Sequence, residues 1–187
     1  DIEIGRIGPK RILFRFLYGI LRNEVERYLK IKRFSRRSQL LVLVPKQIID
    51  KVESFYLDVV EEFKEAEMQI IKDSKFKMIF KKKNYDGNIE HLKKCKKMAL
   101  NIDVDDIEIP ADDRMARQVV KAFEKCLVHF NNLCDTHTRL QMGLKGKAEN
   151  KEQLKFSDYK ELFQKVQTAR NSLNSALHEM DLVYTDY

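Results

Sequence analysis

Two pairs of metal-binding side chains sit at helical spacing in this chain. His91 and Cys95 are four residues apart, and Cys126 and His129 are three apart. Residues three or four apart share one face of a helix. Two facing helices would therefore offer a two-Cys, two-His set to zinc. Cys134 and His137 repeat the three-residue spacing two turns further on, too far to join the same ion. No pair has CxxC spacing, and cysteine is equally at home as a small buried residue. The expectation is a chain without cofactor, with His91, Cys95, Cys126 and His129 as the one metal set to check.

The second chemistry is charge. Lys10-Arg11 with Arg15, Lys30 to Arg33 running into Arg36-Arg37, Lys81-Lys82-Lys83, and Lys93-Lys94 with Lys96-Lys97 are dense basic runs. Residues 1–100 carry about +10 and residues 101–187 about −3, within the total of +7. A basic face of this kind gathers counter-charge and steers the approach of an anionic partner. Phe34, Phe76, Phe80 and Tyr85 lie among these runs, where they would stack on unpaired bases. The residues expected to contact phosphates are Arg33, Arg36, Arg37, Lys81, Lys82, Lys83, Lys93, Lys94, Lys96 and Lys97. RNA or single strands suit them at least as well as duplex DNA.

Catalysis is not expected. There is no phosphate-cradling Gly-rich loop, no GxSxG and no HExxH. Asp103, Asp105, Asp106, Glu108, Asp112 and Asp113 lack the glycine and the spacing of a calcium loop. Arg170-Asn171 followed by His178 resembles the Arg-polar…His pattern of HEPN-type ribonucleases, which are also helical bundles. The resemblance covers one helix. Seven residues separate Arg170 from His178, longer than that pattern, and the two point about 80° apart on a helix. It implies a shared site only at a dimer seam.

Long helices must carry these residues. Six Gly and three Pro in 187 residues argue for long regular elements and against a β-sandwich or a nucleotide-binding α/β fold. A helix is expected over about 10–33, with Leu13, Leu17, Ile20, Tyr28 and Ile31 in one apolar row and Phe14, Tyr18, Leu21, Val25 and Leu29 beside it. Leu40–Val44 reads equally as a short strand or a helix entry. A second helix spans about 46–74 with the row Ile48, Val52, Phe55, Val59, Phe63, Ala66 and Ile70, close to a coiled-coil seam. Asp86-Gly87 reads as a turn before a short helix over about 88–100. An acidic linker follows at 101–113, ending in an Asp112 or Asp113 cap. The next helix, with Val119, Phe123, Cys126, Phe130, Leu133, His137 and Leu140 inside, should end at Lys145-Gly146-Lys147. The last should be capped by Ser157-Asp158 with Glu161 and bury Leu162, Val166, Ala169, Leu173, Ala176 and Met180.

The pattern predicts an all-α fold, an antiparallel bundle of about four long helices plus one short helix. Residues 1–100 would form a basic helical unit, with a hairpin of residues 114–187 packed on it as a single bundle. The expected role is a non-catalytic subunit of a larger assembly that holds nucleic acid. The alternative is a protein–protein adaptor or self-associating scaffold that docks a helix on Val52, Phe55, Val59 and Phe63. A third reading lays the basic amphipathic stretch 10–34 on an anionic membrane surface. Three cysteines, an odd number, fit free thiols in a reducing compartment, with the cytoplasm expected. The start is already polar, unlike a secretory signal, and no apolar run reaches the ~20 residues that cross a bilayer.

Overall fold

The computed structural model describes residues 46–75, 83–150 and 154–186, all within one compact unit, Val42–Tyr187. The helix expected at 10–33 and the ambiguous 40–44 stretch lie outside the described residues. So do Arg33, Arg36, Arg37, Lys81 and Lys82. Every regular element among the described residues is helical. The first is a continuous rod of three parts: α1 (Lys46–Ser54), a π-helical stretch (Phe55–Val60) and α2 (Glu61–Lys75). Then come α3 (Tyr85–Leu100), α4 (Arg114–Ala148) and α5 (Phe156–Asp186).

Cross-links between elements fix the directions. Phe55 meets Phe123 and Phe130 on α4, and Phe63 meets Phe130 and His137, so the rod and α4 run parallel. Lys96 pairs with Asp135 and Lys145 with Asp86, so α3 runs antiparallel to α4. Lys125 near the start of α4 pairs with Glu179 near the end of α5, and Gly143 near the end of α4 faces Leu162 near the start of α5, so α5 also runs antiparallel to α4. Among the described residues the result is an up-down-up-down bundle of four helical rods. The predicted all-α bundle is therefore observed. Its short helix, α3, is a full wall of the bundle.

The core follows the apolar rows. Every residue of the α4 row is buried, His137 included. Phe55, Phe63, Phe123 and Phe130 form the central aromatic cluster, with ring centroids 5.2–5.6 Å apart and edges facing rings. In the rod the steps Phe55→Val59→Phe63 and Tyr56→Val60 are all four residues, and all five side chains are buried. A four-residue step overshoots an α-helical turn by about 40°. The wider π turn absorbs the excess and keeps both rows inward. After it, the buried pair is Ala66 and Glu67, while Ile70, expected in the core, is half-buried. Val52, Phe55, Val59 and Phe63 are thus consumed by the bundle's own packing and offer no open seam to a partner helix.

Helix ends show where local chemistry was misread. Asp86 and Gly87 are not a turn: they lie in the first turn of α3. Asn84 caps that helix by accepting from the Gly87 N–H at 3.0 Å. A side chain at Gly87 would meet the Asn84 carboxamide and push the cap aside. α4 continues one residue past Lys147 to Ala148, and the turn beyond it uses Asn150 at φ 54°. α5 begins at Phe156, ahead of the expected Ser157 cap, and Asp158 reaches back to accept from the Lys155 N–H at 3.1 Å. The linker 101–113 has no regular structure but is tied to α1, through a Lys51–Asp106 ion pair of 2.7 Å and a Glu108 N–H donated to Gln47.

Asp113 is the cap of α4, accepting from the Ala116 N–H at 2.8 Å. Asp113→Ala orphans that donor and removes a negative charge from the positive end of the helix dipole. Urea denaturation should show a loss of about 1 kcal/mol with an unchanged m-value.

Candidate functional site

Three polar constellations stand out: a basic face on α3, a His–carboxylate cluster between α2 and α3, and a buried network at the centre of the bundle.

On α3, Leu92, Cys95 and Ala99 face inward, which leaves the lysines outward. Lys93 and Lys97 are exposed, one turn apart, and make no ion pair among the described residues. Lys83, just before the helix, is also exposed. The other two expected contacts are engaged. Lys94 reaches Glu62 on α2 at 2.7 Å, and Lys96 holds both oxygens of Asp135 on α4 at 2.7–2.8 Å. The α3 part of the expected phosphate face therefore divides. Two of its lysines also tie helices together.

The expected two-Cys, two-His metal set does not form. Cys95 and Cys126 are fully buried, and Cys126 packs on Met180 of α5. His91 lies at the surface of the α2–α3 contact with its Nε2 2.5 Å from Glu62 Oε1. Burial pushes the Cys95 thiol up to about 12 and raises Cys134 as well, so both remain protonated and unreactive. Among the described residues one group of three metal-ligating side chains converges: Glu62, Glu65 and His91. The hydrogen bond from Lys94 is the largest influence on Glu62 and helps hold its carboxyl below the usual range.

The central network was missed in the sequence. Arg170 on α5 and Glu67 on α2 are 2% and 3% exposed and form a bidentate ion pair. Arg170 Nη1 donates to Glu67 Oε2 at 3.3 Å, and Nη2 donates to Oε1. His137 on α4 places Nε2 3.5 Å from the same Oε1, with its ring edge-on to Phe63. Its contact with Glu67 is not an ion pair at neutral pH. Burial is the larger influence, and with the Arg170 guanidinium it lowers the imidazole to about 4 despite the carboxylate. Further along, Asn88 on α3 donates to Asp73 at 3.1 Å and approaches Gln141 at 3.5 Å. Four helices are joined by polar contacts inside an apolar bundle.

This geometry overturns the pairing of Arg170 with His178. Arg170 is committed to Glu67 in the interior, whereas His178 is exposed on the outside of α5. A signal for the real partner was present. Continuing the four-residue step from Phe63 lands on Glu67, and His137 already stood in the α4 row. Ionisable residues on facing apolar rows are a pattern for a buried polar network.

A shallow groove of about 430 Å3 lies between α4 and α5, walled by Asn132, Thr136, Gln164, Lys165 and Thr168. Its lysine is taken up by Glu161 at 2.6 Å. Its size suits a small ligand, but it has no buried, convergent set of charged groups.

No family model, curated protein or solved structure matches this chain. Among the described residues no helix is long and apolar enough to cross a membrane.

Proposed function

We propose that this chain is a non-catalytic helical subunit that contacts nucleic acid through phosphates, chiefly with its first 45 residues. One observation carries the reading. Residues 46–187 hold 25 Lys and Arg against 25 Asp and Glu, while residues 1–45 hold eleven against four. Residues 46–187 are charge-balanced, and five of their cations, Lys94, Lys96, Lys125, Lys145 and Arg170, are held in ion pairs that link helices. The whole net charge of +7 therefore belongs to the segment that includes Arg33, Arg36 and Arg37. A strongly basic stretch of sequence beside a charge-balanced one suits a polyanionic partner. Lys93 and Lys97 extend the set on the bundle itself. Three buried free thiols support a reducing compartment. The adaptor reading is weaker, because the seam it needs is already filled.

The test is fluorescence anisotropy with labelled single-stranded RNA, single-stranded DNA and duplex at two salt concentrations. Binding should weaken steeply with salt, with a log–log slope of about −0.7 per phosphate neutralised on a single strand. Arg33→Glu/Arg36→Glu/Arg37→Glu should flatten that slope by about 2 and cost more affinity than Lys93→Glu/Lys97→Glu. No binding at low salt, or binding indifferent to salt, sinks the reading. A chain that ignores all three nucleic acids but binds phosphatidylserine vesicles belongs to a membrane surface instead.

A further inference from the structure

Independently of that reading, we propose that Glu62, Glu65 and His91 form a divalent transition-metal site, best suited to zinc, that bridges α2 and α3. Glu62 and Glu65 lie one turn apart on α2, and His91 faces them from α3. One donor atom from each lies within 4.8 Å of the other two. One imidazole nitrogen and two carboxylates are a borderline donor set. They favour zinc, or cobalt in its place, over calcium or magnesium, which take oxygen alone. Three protein ligands leave a further position for water.

The site is built to hold positive charge. Lys94 sits 2.7 Å from Glu62 Oε1 and is drawn to Glu65 as well, so its ammonium already answers the two carboxylates. A bound ion would displace it. The geometry needs a small adjustment. Ligands about 2.1 Å from a tetrahedral ion stand about 3.4 Å from each other. The His91–Glu62 contact of 2.5 Å must therefore open by roughly 1 Å. Both side chains are partly exposed, at 25% and 21%, so rotation about their own bonds suffices and the helices stay in place. His91 then offers the Nε2 lone pair to the ion, with its proton on Nδ1 or released to solvent.

The experiment is a zinc titration of the full chain against a chromophoric zinc indicator, with far-UV circular dichroism to confirm that each variant is folded. One saturable ion per chain is expected. His91→Ala should weaken binding by at least about tenfold, the loss that even outer-shell partners of a metal produce. Glu65→Gln should weaken it too. Lys94→Gln should tighten it, because the competing cation is gone. That gain separates ligation from a loss of structure. Cobalt(II) in place of zinc should give visible bands of nitrogen and oxygen ligation. Absence of saturable binding, binding unchanged in His91→Ala, or a thiolate-to-cobalt charge-transfer band from the cysteines would overturn the proposal.

Discussion

Arg170→Met lowers the unfolding free energy by about 3–5 kcal/mol, because it strands Glu67 in the interior without its counter-ion. Few other single changes in this bundle should cost as much. The loss reflects an uncompensated buried charge more than the intrinsic worth of the pair. Two ions taken out of water lose about as much hydration as their attraction returns. The double variant Glu67→Leu/Arg170→Met should therefore recover most of the loss and can even exceed the parent in stability. Thermal unfolding should show the single variant melting roughly 6–20 °C lower and the double variant close to the parent. If both variants fall equally, the pair is stabilising in its own right and the argument fails. The pair also joins residues 103 apart in sequence, so it can select one register of α2 against α5 among the sliding alternatives an apolar bundle allows.

The second large effect is on pH. His137 takes up a proton near pH 6.5 in the unfolded chain but only near 4 in the folded one, because burial disfavours the imidazolium. Between those values the unfolded state binds more protons, so stability falls as pH falls. Above pH 6.5 the contribution is complete. It is lost progressively down to about pH 4 and is then constant. At about 1.4 kcal/mol per unit the loss is about 3–4 kcal/mol. Many carboxylates titrate in the lower part of this window, so the informative quantity is a difference curve. Urea denaturation of the parent and of His137→Phe, from pH 8 to pH 4, should show the parent losing stability faster below 6.5. Parallel curves would mean that Glu67 compensates the imidazolium and that His137 protonates without cost.

The fold was largely legible in the sequence, and the site was not. The apolar rows of α4 and α5 depend on regular 3.6-residue periodicity, and Val119 through Leu140 and Val166 through Met180 are buried as the spacing predicts. In the rod that periodicity breaks. Three consecutive steps of four signal a wound-out helix, and a strictly α-helical count beyond Phe63 leads to Ile70 in place of Glu67. That count passes over Glu67, so Arg170 has no partner in the pattern, and His178 is the nearest candidate on the same helix. The metal pairing failed for a related reason. Spacing places two side chains on one face but does not say which helix that face meets, and His91 meets acids of α2, not Cys126 and His129 of α4. Lys94 and Lys96 look like free surface charge in a sequence. Their ion pairs reach residues 32 and 39 positions away, beyond any local pattern.

The π-helical stretch has a consequence for how this protein can change length. It holds one residue more than an α-helix needs between the same two packing positions, and the wide turn takes up the surplus, so the two ends of the rod stay in phase across Phe55–Val60. Deleting exposed Leu57 would let the backbone wind as an uninterrupted α-helix without turning what lies beyond it. Glu67 would still meet Arg170, and Glu62 would still meet His91. A deletion in α2 ahead of Glu67 has no such surplus to draw on. It would turn the rest of the rod by about 100° and take Glu67 away from Arg170. The stretch thus acts as an expansion joint, one residue of slack stored where the rod can give it up.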